Sequence, residues 1–387
     1  MRTTKTRLAA LGAAALLGLT GCAAAEGDEP VGPNGLPEQL VWSTYNVGTG
    51  TYNDLAAIAS TLTDEEGVQV RLMTADTGIG RLAPLVNGTV DYSRAGDEYY
   101  YAFEGDYEYA SPEWGPQDIR MVWAPLGNYG LLVREDSGID SFADLEGKRF
   151  PRLTANTSIN NKMEGFLNYG GLTWDDVEQV QLAYGEQIAA LEAGQIDALY
   201  QNVVGSNIEE LASTTDVKWL SFDDPDPARY ETWEELMPMV TVGEITDGAG
   251  LDEGGTARVL EYTIPITTMA SRDADEVHHL VEAVVENYEH YEGTTPDTKQ
   301  FAFEAVLKEP LVVPFHEGTV RYFEERGVWT DELERRNDEL IERGERMREA
   351  WPGVVASSSE EDLARNWADW KKTELDTEPT EGTDDAN

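Results

Sequence analysis

A single cysteine, Cys22, stands among 387 residues. One thiol excludes a disulfide within the chain and any thiolate metal cage. Histidine is almost as scarce at four, too few for a multi-histidine zinc site. The adjacent His278 and His279 fall on a helix without the spacing of a metal motif, so no metal and no cofactor are expected. Positive charge is the third shortage. Lys and Arg total 28 against 74 Asp and Glu, a formal net charge of -46, which excludes a dominant nucleic-acid role and disfavours anionic lipid surfaces. No G-x-S-x-G elbow, P-loop, H-E-x-x-H or G-x-G-x-x-G occurs, which argues against an enzyme. Beyond the N-terminus no apolar run reaches the length of a membrane span.

What is present reads as a folded body with two special ends. Apolar residues make up 41% and charged residues 26%, a globular composition with material for two or three domains by length. Arg2, Lys5 and Arg7 precede a short apolar stretch from Leu8 to Leu19, and Leu19-Thr20-Gly21-Cys22 follows. This is a secretory signal over residues 1–21, too short to span a membrane. Its ending resembles the bacterial lipoprotein signal, which implies lipidation of Cys22 and anchoring to the outer face of the cell membrane. Residues 22–38 are small and Gly/Pro-rich, as in a flexible tether. Residues 371–387 are polar and acidic, as in a disordered tail. The acidity of the whole surface suggests saline surroundings, where distant charges are screened.

Between these ends, short β-rich runs alternate with helical periodicity, the pattern of α/β units around a largely parallel sheet. Strands are expected over Val41 to Tyr45, Val68 to Met73, and Phe150 to Leu153. Helices follow with Leu55, Ile58 and Leu62, or Ile159, Met163, Phe166 and Leu167, on one face. Ser206-Asn207-Ile208-Glu209 fits a capping box. A helix from about Asp275 and another over Asp331 to Arg348 complete the pattern, the latter with i, i+4 pairs Glu332/Arg336, Glu339/Arg343 and Glu342/Arg346. The form L-x-x-G-x-V-D at Leu85 to Asp91 returns as L-x-x-G-x-I-D at Leu191 to Asp197. Each copy reads as helix, glycine cap, strand. Two copies imply two similarly built lobes, with the apolar run Val259 to Met269 carrying the chain back to the first.

Gly48-Thr49-Gly50-Thr51-Tyr52, the Gly88/Asp91 turn, Ser137-Gly138-Ile139, Ala143 to Lys148, Gly170-Gly171-Leu172, Gly194 to Ala198 and Pro314 to Gly318, in this order, resemble the TAXI-type solute-binding subunits of tripartite ATP-independent periplasmic (TRAP) transporters. The resemblance spans about Leu40 to Gly327. It implies a two-lobed periplasmic-binding-protein fold of type II, each lobe a mixed sheet flanked by helices, with a ligand cleft between them. Lobe 1 is placed at 39–131 plus 262–370 and lobe 2 at 132–261. The implied role is capture of a small solute, most often a carboxylate such as an amino acid or dicarboxylate, for a membrane permease. The alternatives are a sensor lipoprotein with the same fold and a secreted hydrolase. Departures occur at Asn46-Val47 and at Thr154-Ala155-Asn156-Thr157-Ser158, where the family carries more glycine, and at Arg94, where it carries an uncharged residue.

In open α/β sheets ligands sit beyond the carboxyl ends of strands, where helix N-termini offer unpaired N–H groups to anions. Four loops have that chemistry. The candidates are Asn46, Gly48, Thr49, Gly50, Thr51 and Tyr52; Thr77 and Gly78 in the loop from Asp76; Thr154, Asn156, Thr157 and Ser158; and Asn202. The threonines have a second reading as helix caps. Arg94 is either a carboxylate clamp or an ion-pair partner of Asp91 or Asp97, Asp97 being itself a site candidate. Tyr129 is a candidate to cover the ligand, whereas Trp42 reads as packing. Tyr99, Tyr100 and Tyr101 mix core and cleft.

Overall fold

A computed structural model describes residues 32, 34–47, 49–75, 77–223, 230, 233, 236–251 and 254–375. The expected signal peptide, Cys22, most of the tether, Gly48, Asp76 and the tail beyond Leu375 lie outside the described residues. Strand β1 (Gln39–Thr44) leads into helix α1 (Gly50–Glu66), β2 (Gln69–Thr74) into α2 (Gly78–Val86), and β3 (Tyr92–Arg94) into α3 (Glu98–Glu104). After β4 (Ile119–Trp123) the chain crosses to β5 (Leu126–Arg134), then β6 (Arg149–Leu153), α4 (Thr157–Tyr169), β7 (Glu178–Leu182), α5 (Gln187–Glu192), β8 (Ala198–Asn202), α6 (Ser206–Thr214), β9 (Val217–Trp219), β10 (Thr241–Ile245) and β11 (Ala257–Thr263). It returns through Ile264-Pro265 to β12 (Ile266–Met269) and ends in α7 (Ala274–Glu286), α8 (Tyr288–Tyr291), α9 (Glu317–Glu325), α10 (Asp331–Ser357) and α11 (Leu363–Glu374).

The first sheet has the order β2-β1-β3-β12-β4, with β1, β2 and β3 parallel and β12 antiparallel to both neighbours. The second has the order β10-β11-β5-β8, with β9 also on β5, and every pairing is antiparallel. β6 and β7 form a parallel pair. The fold is therefore mixed α/β. The expected parallel character holds where helices cross over, at β1 to β3 and β6 to β7, and fails around β5. The run Val259 to Met269 does pass from one sheet to the other, as its β-branched composition suggests.

The repeated motif has one local geometry in both places. Gly88 and Gly194 both take positive φ, 72° and 63°, which glycine adopts without a Cβ clash. Asp91 then accepts the Val41 N–H at 2.6 Å and an Arg272 N–H at 2.7 Å, while Asp197 accepts the Arg149 N–H at 2.8 Å and pairs with the Arg149 guanidinium. Each aspartate thus ties the start of β3 or β8 to the first strand of its own unit.

Both ends are more structured than composition suggests. Leu36 is buried, and Asn34 donates to Glu66 Oε2 at 2.8 Å, so the tether's last residues pack on the body. α11 continues through Glu374 with Lys371 buried, so the helix runs into the segment expected as tail. On α10, Arg336 pairs with Glu339 at 3.5 Å and Arg343 reaches Glu104 at 2.8 Å. An arginine that finds a buried carboxylate gains more than one in a solvated pair. α6 begins at Ser206 with Gly205 as its cap and no side-chain cap bond. Among the described residues no helix is long and apolar enough to cross a membrane.

α7 and α9 approach closely at Gly318. A Cβ there would lie 2.4 Å from the Ala274 carbonyl oxygen and 2.7 Å from the His278 nitrogen, both backbone atoms. Gly318→Ala should therefore cost about 1–3 kcal/mol as overpacking, read as a lowered denaturant midpoint. An unchanged midpoint would mean that the helices separate freely.

Candidate functional site

The loop residues serve first to start helices. Thr49 caps α1, accepting the Tyr52 N–H at 3.2 Å and donating to the Asn46 carbonyl at 2.8 Å. Thr77 caps α2 by accepting the Gly80 N–H at 3.1 Å. Asn156 caps α4 by accepting the Ile159 N–H at 3.0 Å. Gly50, Thr51 and Tyr52 form the first turn of α1, and Gly78 and Thr157 open α2 and α4. Glu108 lies near Thr157, and burial pushes its carboxyl above the usual range. Thr154 is exposed, and its N–H joins β6 to β7 through the Leu182 carbonyl at 3.1 Å. Asn202 ends β8 opposite Tyr129 and accepts the Val204 N–H at 3.1 Å.

Arg94 belongs to neither expected reading. Its guanidinium is buried, pairs with Asp54 at 2.6 Å, and donates to the carbonyls of Ile264 at 3.1 Å and Thr51 at 3.2 Å. It ties α1 to the crossing between β11 and β12. Asp91 is held by Arg272 and Asp97 by Lys162. A guanidinium two residues past Tyr92 faces the sheet interior, and Asp54, the buried acid of α1, reaches it first. Trp42 is core, edge-on to Tyr92, and Tyr99 and Tyr101 are buried while Tyr100 is half-buried.

The chemistry converges instead where the β3–α3 turn meets α4. Asp97 and Lys162 form an ion pair in which both side chains are fully buried, one following a strand of the first sheet, the other on the helix after β6. Lys162 also donates to Ser158 at 3.2 Å and lies 4.3 Å from the Tyr262 ring centre. Beside it, Arg81 and Glu98 pair at 2.9 Å, again buried, with Arg81 over the Tyr45 ring at 3.8 Å. Gly96 lies between the pairs, donating its N–H to the Tyr45 hydroxyl at 2.8 Å; a Cβ there would meet Glu98 Oε2 at 2.9 Å and Ser158 Oγ at 3.3 Å. Gly78 is needed for the same reason, since its Cβ would lie 2.3 Å from Glu98 Cγ.

Aromatic residues wall the cluster. Tyr129 stacks on Tyr200 and packs on Tyr262 at 4.5 Å, and the Tyr200 and Tyr262 hydroxyls meet at 2.5 Å. Burial, then the Glu98 charge, raises the Tyr45 phenol pKa against the opposing pull of Arg81. Burial does the same for Tyr200 and Tyr262. All three stay neutral hydrogen-bonding groups.

Two cations and two carboxylates make the cluster neutral overall, yet buried capacity remains unused. Asp97 Oδ1, Glu98 Oε2 and Arg81 Nε have no partner among the described residues. Such atoms cost free energy unless something occupies them. Of the expected residues, the structure brings Asp97, Ser158 and Tyr129 to this cluster and leaves Thr154 and Asn202 at its strand-end margins. Sequence reasoning misses Tyr45, Arg81, Glu98, Lys162 and Tyr262, and reaches Tyr200 only as the first residue of the loop that holds Asn202. The available signal is a charge on the apolar side of a helix: Arg81 lies one turn before Leu85, and Lys162 one turn after Ile159 and one turn before Phe166. A pocket of about 460 Å³ opens beside the β8–α6 turn, lined by Val204, Glu209, Asp247, Thr295 and Lys299 among others.

No curated protein matches the sequence. Among solved structures, the periplasmic aliphatic sulphonate binding protein SsuA from Escherichia coli is similar at 17% identity, covering 66% of this chain and 73% of its own, with a TM-score of 0.39. A binding protein component of an ABC phosphonate transporter from Pseudomonas aeruginosa is similar at 13% identity, over 80% and 98%, with a TM-score of 0.42. The sulfonate-binding protein SsuA from Methylobacillus flagellatus gives 12% identity, over 75% and 95%, with a TM-score of 0.42. The profile of the NMT1-like family matches residues 45–327, most of the described body. The chain belongs to the NMT1-like family.

Proposed function

We propose that this chain is an extracytoplasmic solute-binding lipoprotein, anchored through Cys22, that captures a small carboxylate and delivers it to a TRAP-type permease. The observation that carries the reading is the buried Asp97–Lys162 pair, which joins the turn after β3 of the first sheet to α4, the helix that follows β6, with unused polar atoms around it. Two lobes, 39–131 plus 262–370 and 132–261, would close over the solute and shift an open–closed equilibrium that the permease reads. An amino acid suits this site better than a dicarboxylate. A solute that separates a buried pair must compensate both partners, and a zwitterion offers its carboxylate to Lys162 and its ammonium to Asp97. Ser158 Oγ accepts from an ammonium already held by Asp97, so Lys162 is a poor base for activating it, which weighs against a hydrolase.

The test is a thermal-shift screen of the chain against glutamate, glutamine, 2-oxoglutarate, succinate and cationic osmolytes, with calorimetry on hits. A true solute at 100 times its Kd should add about 2.7 kcal/mol of stability. Thr157→Ala should weaken that response, because α4 would lose a hydroxyl at its N-terminus. Silence across the panel defeats the carboxylate reading. Co-purification with a permease then separates a transporter subunit from a sensor, and the permease recovered shows whether the transporter is of TRAP or ABC type.

A further inference from the structure

We propose that His278, His279 and Glu282 on α7 form a site for a zinc-like transition-metal ion, oriented by Glu325 of α9. Two adjacent histidines lack a metal spacing in sequence, but Glu282 lies one turn further along the same helix. One ligand atom from each of the three residues falls within 4.8 Å of the others. Around a tetrahedral ion with bonds of about 2.0–2.1 Å, ligand atoms sit roughly 3.4 Å apart, so side-chain rotations of the half-buried His279 and Glu282 are what the site asks for.

The state of His278 is the independent observation. The residue is 8% exposed. Its Nε2 meets Glu325 Oε2 at 2.9 Å, so Nε2 carries the proton and donates it to the carboxylate. The other ring nitrogen, Nδ1, which holds the lone pair whenever the ring is neutral, is buried and without a partner among the described residues. A ring flip leaves the same arrangement, one nitrogen on Glu325 and the other unused. A carboxylate that fixes the far side of an imidazole is the usual second layer of a metal site, where it sets tautomer and basicity. His279 is held as well. Its ring lies against Gly35, at φ +79°, where a Cβ would come within 2.1 Å of Nδ1, and that Nδ1 also lacks a partner. Two imidazoles and one carboxylate favour zinc, cobalt, nickel or copper over magnesium and calcium.

The strongly acidic surface will hold divalent ions loosely, so the experiment must separate site from atmosphere. The full chain, freed of metal by chelation, is titrated with Co²⁺ in excess Mg²⁺, following the visible absorption of low-symmetry cobalt, and Zn²⁺ is then added in competition. One equivalent should bind despite Mg²⁺ and be displaced by Zn²⁺. His279→Ala and Glu282→Gln should each weaken Zn²⁺ by more than about tenfold, and Glu325→Gln by about tenfold. Glu289→Gln, an exposed acid on α8, should change nothing. Metal-free melting curves of each variant show whether it folds. Co²⁺ binding abolished by Mg²⁺, or folded variants that bind Zn²⁺ like the parent, would overturn the site.

Discussion

Lys162→Met will lower the unfolding free energy by about 3–5 kcal/mol, the usual cost of removing one partner from a buried pair. Lys162 and Asp97 are both wholly excluded from solvent. Among the described residues Asp97 Oδ1 lacks a partner, and Tyr101 reaches Oδ2 only at 3.5 Å, so little else there is placed to compensate the carboxylate. The double variant Lys162→Met, Asp97→Asn should recover much of the loss, because replacing both charges removes the uncompensated one. Urea unfolding of the parent, both single variants and the double variant forms a cycle whose coupling term isolates the pair. A Lys162→Met cost below about 1 kcal/mol is what an exposed pair gives, and would mean that water reaches this cluster.

The same pair shows where the sequence stops being legible. β1, α1, β6 and α4 follow from local pattern: Leu55, Ile58 and Leu62 recur at helical spacing, as do Ile159, Met163 and Phe166, and Gly170 closes α4. Crossing between sheets at Val259 to Met269 is legible for the same reason. Partners 65 residues apart, as Asp97 and Lys162 are, are not. In a chain with 74 acids, no local feature says which carboxylate a buried cation will choose. Arg94 illustrates the point. Asp91 and Asp97 are nearer in sequence, yet Asp54 is aimed at it from α1. The loops are legible because caps are local chemistry; the charges behind them depend on how the β3–α3 turn meets α4.

The C-terminus is the second place where tertiary structure overrides composition, and it carries the other large effect. Trp367→Ala should cost about 3–5 kcal/mol, as for a buried aromatic side chain. Trp367 is fully buried, edge-on to Trp351 and stacked on Trp370, both at 5.0 Å, and its indole N–H donates to the Glu104 carbonyl at 2.8 Å. Losing it frees α11 from the body and withdraws Lys371, which holds Glu104 at 3.0 Å and Asp106 at 2.7 Å. Glu104 adds a pH signature. Burial raises its pKa, but hydrogen bonds from Arg343 and the charge of Lys371 outweigh burial and leave it below the ordinary value. A carboxylate lowered in the folded state stabilises above its unfolded value of about 4.3 and loses that contribution as pH falls through the folded value. The stability gap between the parent and Glu104→Gln should therefore be widest at neutral pH and narrow below about pH 4. A gap constant from pH 7 to pH 3 would show that Glu104 acts by packing rather than charge. A Trp367→Ala melt within a degree or two of the parent would show that α11 contributes little to holding the body together.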